Sequence, residues 1–372
     1  MSTDTREGRA SGAKPKPKAK VTKEVILGTE RRWRRFGEPV PAGASLKDDG
    51  TPDYGIFGPG SVVWEVLLHP ATIVFENVGQ GIMQQLYKPI SAGLRDEDPM
   101  AKKARAGTLT FYDAFDRLSR NAGMHAPMWF GDTATARLMA KHLHNIHQHV
   151  RGDVIDAGEP ELGGYAASEP RDAMWAGLTE LHPLLWIYEA FAFRDGRFPH
   201  RLEPGKRDRY VAEVAEYCRL LGAEEDQVPT SMAELAALYD NYADLFRHSD
   251  TMHIDPESGT NMRKLQGKVM VKNIDRGQLR ALRQLIFIFL LWQQPGLGAL
   301  SGKARQDAGL TPAQSRRAYA SRKLALPVVW LMQQRPVERY VTRVMWGPDA
   351  VELIASARKL HRQALAERAA AA

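Results

Sequence analysis

Cysteine is nearly absent from this 372-residue sequence, where Cys218 stands alone. A single thiol excludes an intrachain disulfide framework and a cysteine-based zinc ribbon, and it suits a reducing compartment. Long apolar runs are missing too. The longest, Leu285–Trp292, falls far short of the ~20 residues that cross a bilayer, so no transmembrane segment is expected. The first twenty residues are rich in Lys, Pro, Ala and Gly and lack the apolar stretch of a secretory signal. The arginine pairs Arg31–Arg32 and Arg34–Arg35 run into Phe36-Gly-Glu-Pro39 instead of such a stretch. No export signal is read, and the expected location is cytoplasmic.

Several chemistries lack their signature as well. Gly79-Gln-Gly81 and Gly296-Leu-Gly298 have neither the third glycine nor the preceding strand of a dinucleotide loop. A GxSxG elbow and an HExxH pair are absent. Cys218 lies within a helical pattern and reads as an inert core thiol. Paired alternating β-branched runs do not occur, which argues against a sheet-based fold.

Charge is unevenly spread. Of the 51 Lys and Arg and 44 Asp and Glu, residues 1–35 hold 11 bases and 4 acids, which leaves 40 of each for the rest. The net +7 therefore belongs to the N-terminal tail, and the body has no overall field to draw nucleic acid. No specific nucleic-acid partner is expected.

What is present is helical pattern. Hydrophobic residues make up 44% of the chain, with 8 Trp, 11 Tyr and 12 Phe to fill a core. Residues 1–36 read as a disordered basic tail, 37–60 as a Pro- and Gly-rich arm, and 61–366 as one helical domain. Ser231…Glu234 and Thr311-Pro-Ala-Gln314 fit capping boxes. Asp132 opens a helix over about 133–151 that closes at Gly152, and Arg207–Leu221 closes at Gly222. Further helices are expected near 61–87, 100–122, 170–193, 231–247, 276–293, 311–334 and 336–366. The fold class expected is all-α.

The segment 133–151 carries four of the eleven histidines. At about 100° per residue, Ala136, Met139, Ala140, Leu143, Ile146 and Val150 gather on one side of the wheel. His147 falls on the edge of that stripe, His144 about 60° beyond it, and His142 and His149 on the opposite, polar side. A single neutral imidazole against an apolar cavity is the usual axial ligand of haem iron. The ordinary alternative is a hydrogen-bonded core histidine.

Three stretches carry a resemblance: Gly58-Pro-Gly-Ser-Val-Val-Trp64, Phe130-Gly-Asp followed by His147-Gln-His-Val-Arg-Gly152, and Tyr165-Ala-Ala-Ser-Glu-Pro170 with Trp175. Arg209-Tyr210, Glu213, Leu221-Gly222 and Pro229-Thr-Ser follow in the same order. In order and spacing they resemble the latex-clearing-protein and MpaB-type oxygenases, whose common region is the rubber oxygenase catalytic domain. That resemblance implies a globin-related helical core, a haem b cofactor whose iron is held by His147, dioxygen as co-substrate, and a hydrophobic, isoprenoid or lipid-like substrate open to cleavage at a C=C bond. It also implies an electron donor, which the residues do not identify. His144 and Trp64 are the further cofactor-contacting candidates. The distal pattern of Arg, three residues, then Thr fits Arg117-Leu-Ser-Arg120-Asn121, with Asn in place of Thr; Arg105-Ala-Gly-Thr108 competes with shorter spacing. Arg117, Arg120 and Asn121 are thus the catalytic candidates, against the alternative of solvated helix charges. Glu97 and Asp98 are read as a polar loop, His182 as a core or cap residue, and His248 and His253 as loop residues. A non-catalytic helical module that binds haem or lipid, or that acts as an interaction scaffold, is the second functional class.

Overall fold

The computed structural model describes residues 38–274 and 293–371. The basic tail, the apolar run Leu285–Trp292 and nearly all of the helix expected at 276–293 lie outside the described residues.

The chain is all-α. In order, the helices are α1 (Val62–Leu67), α2 (Pro70–Leu86), α3 (Lys88–Asp96), α4 (Pro99–Arg105), α5 (Phe111–Phe130) and α6 (Thr133–His147). Two-residue strands β1 (Arg151–Gly152) and β2 (Tyr165–Ala166) pair antiparallel. Next come α7 (Pro170–Phe191), α8 (Pro204–Leu221), α9 (Met232–Asn241), α10 (Ala243–Phe246) and α11 (Met262–Lys272). The chain ends with α12 (Gly302–Asp307), α13 (Pro312–Met332), α14 (Arg335–Trp346) and α15 (Pro348–Ala371). Among the described residues no helix is long and apolar enough to cross a membrane.

The core is layered around α7, which is buried on nearly every side and packs against α2 and α8. A helix apolar all round belongs in a protein's interior. On the far side of α2, α5 is held by α6, α14 and α15. Phe75 stacks on Phe191 at 4.4 Å, and Trp129 meets Trp346 edge-on at 5.8 Å, tying these layers together.

Several expected helices prove to be two. The 61–87 helix breaks at His69, whose Nδ1 accepts from Ala71 N at 3.2 Å and which is followed by Pro70. The 336–366 helix breaks at Gly347, where φ is +90°, and the 231–247 helix breaks at Tyr242. In place of the 100–122 helix, α4 ends at Arg105 and α5 starts from a Thr110–Asp113 capping box that the sequence reading missed. The Thr311 box and the Gly222 stop stand as expected, Gly222 in the left-handed region at φ +110°. At Ser231 only half a box forms, because the Glu234 carboxylate accepts from Thr230 instead. Helix α6 also ends earlier than expected. Val150 N donates to His147 O at 2.9 Å, turning the chain so that Gly152 enters β1 against the Tyr165 ring.

The arm is pinned to the α5–α6 corner. Ala42 N donates to Phe130 O and Asp132 N to Val40 O. Ser45 Oγ donates to Asp132, and Thr133 Oγ1 to Asp53, each at 2.7 Å. Gly55, at φ +72°, leaves no room for a Cβ, which would meet Gly131 O at 2.1 Å. A fixed corner sets the level at which the far ends of the two helices meet.

Candidate functional site

From that corner, 13 residues lead back along α5 to Arg117, and 14 lead along α6 from Thr133 to His147. At 1.5 Å per residue both paths cover about 20 Å, so Arg117 and His147 arrive at the same end of the hairpin. Asp98 joins them. It caps α4 by accepting from Met100 N at 2.7 Å, and its other oxygen accepts from Arg117 Nε at 3.0 Å. Far from being an idle loop residue, Asp98 is buried and orients the guanidinium.

The stripe on α6 is only half covered. Thr135, Ala136, Met139 and Ala140 are buried, but Leu143, His147 and Val150 are half-exposed and Ile146 is 46% exposed. The loop after His147 is fixed from α3: Val150 lies against Gly93, Tyr165 donates to Asp96 at 2.9 Å, and the buried Arg95 donates to the carbonyls of Val154 and Ile155. Burial pushes the His147 imidazole down to about 4, with the Arg117 charge and His144 adding to the effect. His147 is therefore neutral at ordinary pH, and among the described residues its ring makes no hydrogen bond.

A neutral imidazole without a hydrogen-bond partner, on a half-open apolar edge beside a cation, fits a group that asks the protein for one axial nitrogen. Haem is such a group, and Arg117 is a neighbouring cation able to pair with a carboxylate. Among the described residues no three His, Cys, Asp or Glu side chains converge on a metal position.

The other candidates scatter. Asn121 is half-buried one turn beyond Arg117 on the same face of α5. Arg120 is exposed and paired with Asp116, as a solvated helix charge would be. His144 is exposed, with Nε2 3.2 Å from the Gln148 amide. Trp64 is fully buried and donates to Trp129 O at 2.9 Å, which puts it at the corner end of α5, about 18 Å along the helix from Arg117. The fold thus sets Arg117 at the His147 end of the hairpin, with Asn121 one turn along α5, and leaves Trp64 at the other end and Arg120 in solvent. The competing Arg105 pairs with Asp255 at 2.7 Å, and Thr108 is an exposed loop residue. Glu97 pairs with Lys102. His182 is a buried core residue beside Tyr239 OH at 3.1 Å, and His248 and His253 are loop residues. Cys218 is buried, its thiol pushed up by burial.

A buried polar cluster escaped the sequence reading. His125 on α5 sets Nδ1 2.6 Å from Glu76 of α2 and Nε2 3.3 Å from Glu180 of α7. Glu180 accepts from Tyr217 OH of α8 at 2.7 Å, and Trp129 stacks on His125 at 4.8 Å. Burial alone would drive the His125 imidazole down, but the Glu180 and Glu76 charges outweigh it and raise it. Arg117 opposes them weakly, so its charge reaches both histidines. The signal available in sequence was the polar trio Thr72, Glu76 and Gln80 at i, i+4 and i+8 in an otherwise apolar helix.

One protein-family profile matches residues 64–372; it is described as ER-bound oxygenase mpaB/B′/Rubber oxygenase, catalytic domain. No curated protein and no solved structure matches the chain.

Proposed function

Because the chain belongs to the mpaB/rubber oxygenase catalytic-domain family, we propose that it is a haem b-dependent oxygenase using dioxygen on a hydrophobic, isoprenoid or lipid-like substrate, whose C=C bonds are the ones to attack. The observation that carries this reading is the state of His147: neutral, without a hydrogen bond among the described residues, and on the uncovered half of an apolar stripe. When bound, haem supplies dioxygen binding and redox chemistry at iron.

The residues of the chain do the rest. His147 offers an unprotonated nitrogen because burial and Arg117 disfavour its cation. Arg117 presents a permanent positive charge whose direction Asp98 fixes. Asn121, one turn along, adds an amide that both donates and accepts. Leu143, Ile146 and Val150 supply apolar surface that an apolar macrocycle or chain can cover, displacing water.

The test is the absorption spectrum of the chain produced with iron and a haem source. A Soret band should be present in wild type, absent in His147→Ala and retained in His142→Ala. Equal spectra for wild type and His147→Ala would remove His147 as the ligand.

A further inference from the structure

Helix α2 carries Thr72, Glu76 and Gln80 on one face, each no more than 1% exposed. Glu76 uses Oε1 on His125, but among the described residues its Oε2, the Thr72 hydroxyl and both Gln80 amide atoms have no hydrogen-bond partner. Each buried polar atom left unpaired costs about 1–3 kcal/mol. Four along one stripe mark a place built for something polar that pairs with them.

Three contacts fix where the stripe leads. Trp64, ahead of α2, bonds Trp129; Glu76 meets His125; and Asp98, beyond α3, bonds Arg117. As residue numbers rise on the first side they fall along α5, so α2 carries the chain from the corner end of α5 toward its Arg117 end. Gln80 therefore lies one turn, about 6 Å, from Glu76 toward the end of the hairpin where Arg117 and His147 meet.

We propose that the Thr72–Glu76–Gln80 stripe binds the hydroxyl head of an otherwise apolar molecule, so that the substrate is a long-chain or isoprenoid alcohol. The word substrate rests on the oxygenase reading; the binding itself does not.

Donor and acceptor chemistry selects the head group. Glu76 Oε2 and Gln80 Oε1 accept, Gln80 Nε2 donates, and the Thr72 hydroxyl does either. An anion would face the carboxylates of Glu76 and Glu180, and among the described residues the stripe has no free cation to meet it. An ammonium has only donors, so Gln80 Nε2 would stay unpaired, and His125 would oppose its charge. A hydroxyl gives one hydrogen bond and accepts others, and it enters at the lowest desolvation cost of the three. Met83, on the same face of α2 and one turn beyond Gln80, is buried and gives an adaptable apolar wall for the chain behind the head.

The experiment titrates the full-length protein with 1-octanol, octane and octanoate and follows tryptophan emission, since Trp129 stacks on His125. 1-Octanol should bind about tenfold tighter than either of the others, the worth of one or two net hydrogen bonds. Gln80→Met and Thr72→Val keep side-chain bulk, should remain folded by thermal unfolding, and should bring the alcohol down to the affinity of octane. Equal affinity of 1-octanol and octane for wild type overturns the proposal, as does a preference that survives both substitutions; the stripe then holds water alone. His147→Ala should keep the alcohol preference even without a Soret band, so failure of the haem reading and failure of this one are told apart.

Discussion

His147 and His125 stand on neighbouring helices within reach of the same guanidinium, yet their surroundings push them in opposite directions. His147 has apolar neighbours and a nearby cation, and no carboxylate among the causes that shift it, so burial holds it neutral down to about pH 4. His125 is more deeply buried, but a carboxylate faces each of its ring nitrogens and its cation is favoured. Burial does not by itself decide the charge of an imidazole; what lines the burial does. One site disfavours the proton, and the other favours it.

The largest way to break this contrast is to remove an acid. Glu180→Ala leaves His125 buried with one carboxylate fewer and Tyr217 without its carboxylate acceptor, and should cost about 3–5 kcal/mol in urea unfolding at pH 6. A loss under about 1 kcal/mol would mean that the cluster is not held by charge.

A pH series sharpens the comparison. His182, buried without an acid beside it, is pushed down to about 3 by burial, with Arg207 adding to it. Its folded value lies below the unfolded 6.5, so the unfolded chain takes up the proton first and stability falls as pH drops. Between pH 6.5 and 4 this amounts to about 3 kcal/mol, and the acid-side slope should become shallower in His182→Gln. The His125 contribution has the opposite sign. Its folded value is raised, so the stabilisation is present below pH 6.5 and is lost as pH climbs through the folded value.

Arg117→Met should move both ring titrations upward when followed by NMR, because the guanidinium lowers each of them. The guanidinium is half-exposed but its Asp98 partner is buried and, among the described residues, keeps only the Met100 N–H, so the stability cost should be about 1–2 kcal/mol. Smallest of all, His147→Ala should change the stability of the haem-free chain by less than about 1 kcal/mol, whereas His125→Ala should cost about 3. Equal losses for the two would erase the distinction between a ligand position and a structural one.

How far the sequence reached follows the same division. His147 could be singled out because its setting is local: a helical period, an apolar stripe and a few residues of motif. Arg117 could be nominated by spacing, but nothing in sequence separated it from Arg120, three residues on. The hairpin register set by the arm does so, with one guanidinium on Asp98 and the other in solvent beside Asp116. Trp64 is a cofactor candidate by its place in the Gly58–Trp64 motif of the resemblance, and the fold makes it a core contact at the opposite end of α5 from Arg117. His125 was illegible, since its carboxylates lie 49 and 55 residues away on different helices.

Hydrophobic period, caps and turn glycines by themselves determined that this chain would be helical and where many of its helices would start and stop, because those forces act within a few residues. Which side chains meet was decided only by the tertiary structure. The pinned corner between α5 and α6 sets the height of Arg117 against His147, and the packing of α2, α5 and α7 gathers two acids and one imidazole out of water. Electrostatic interactions depend on distance and on the medium between the groups, and neither quantity exists until the helices are packed.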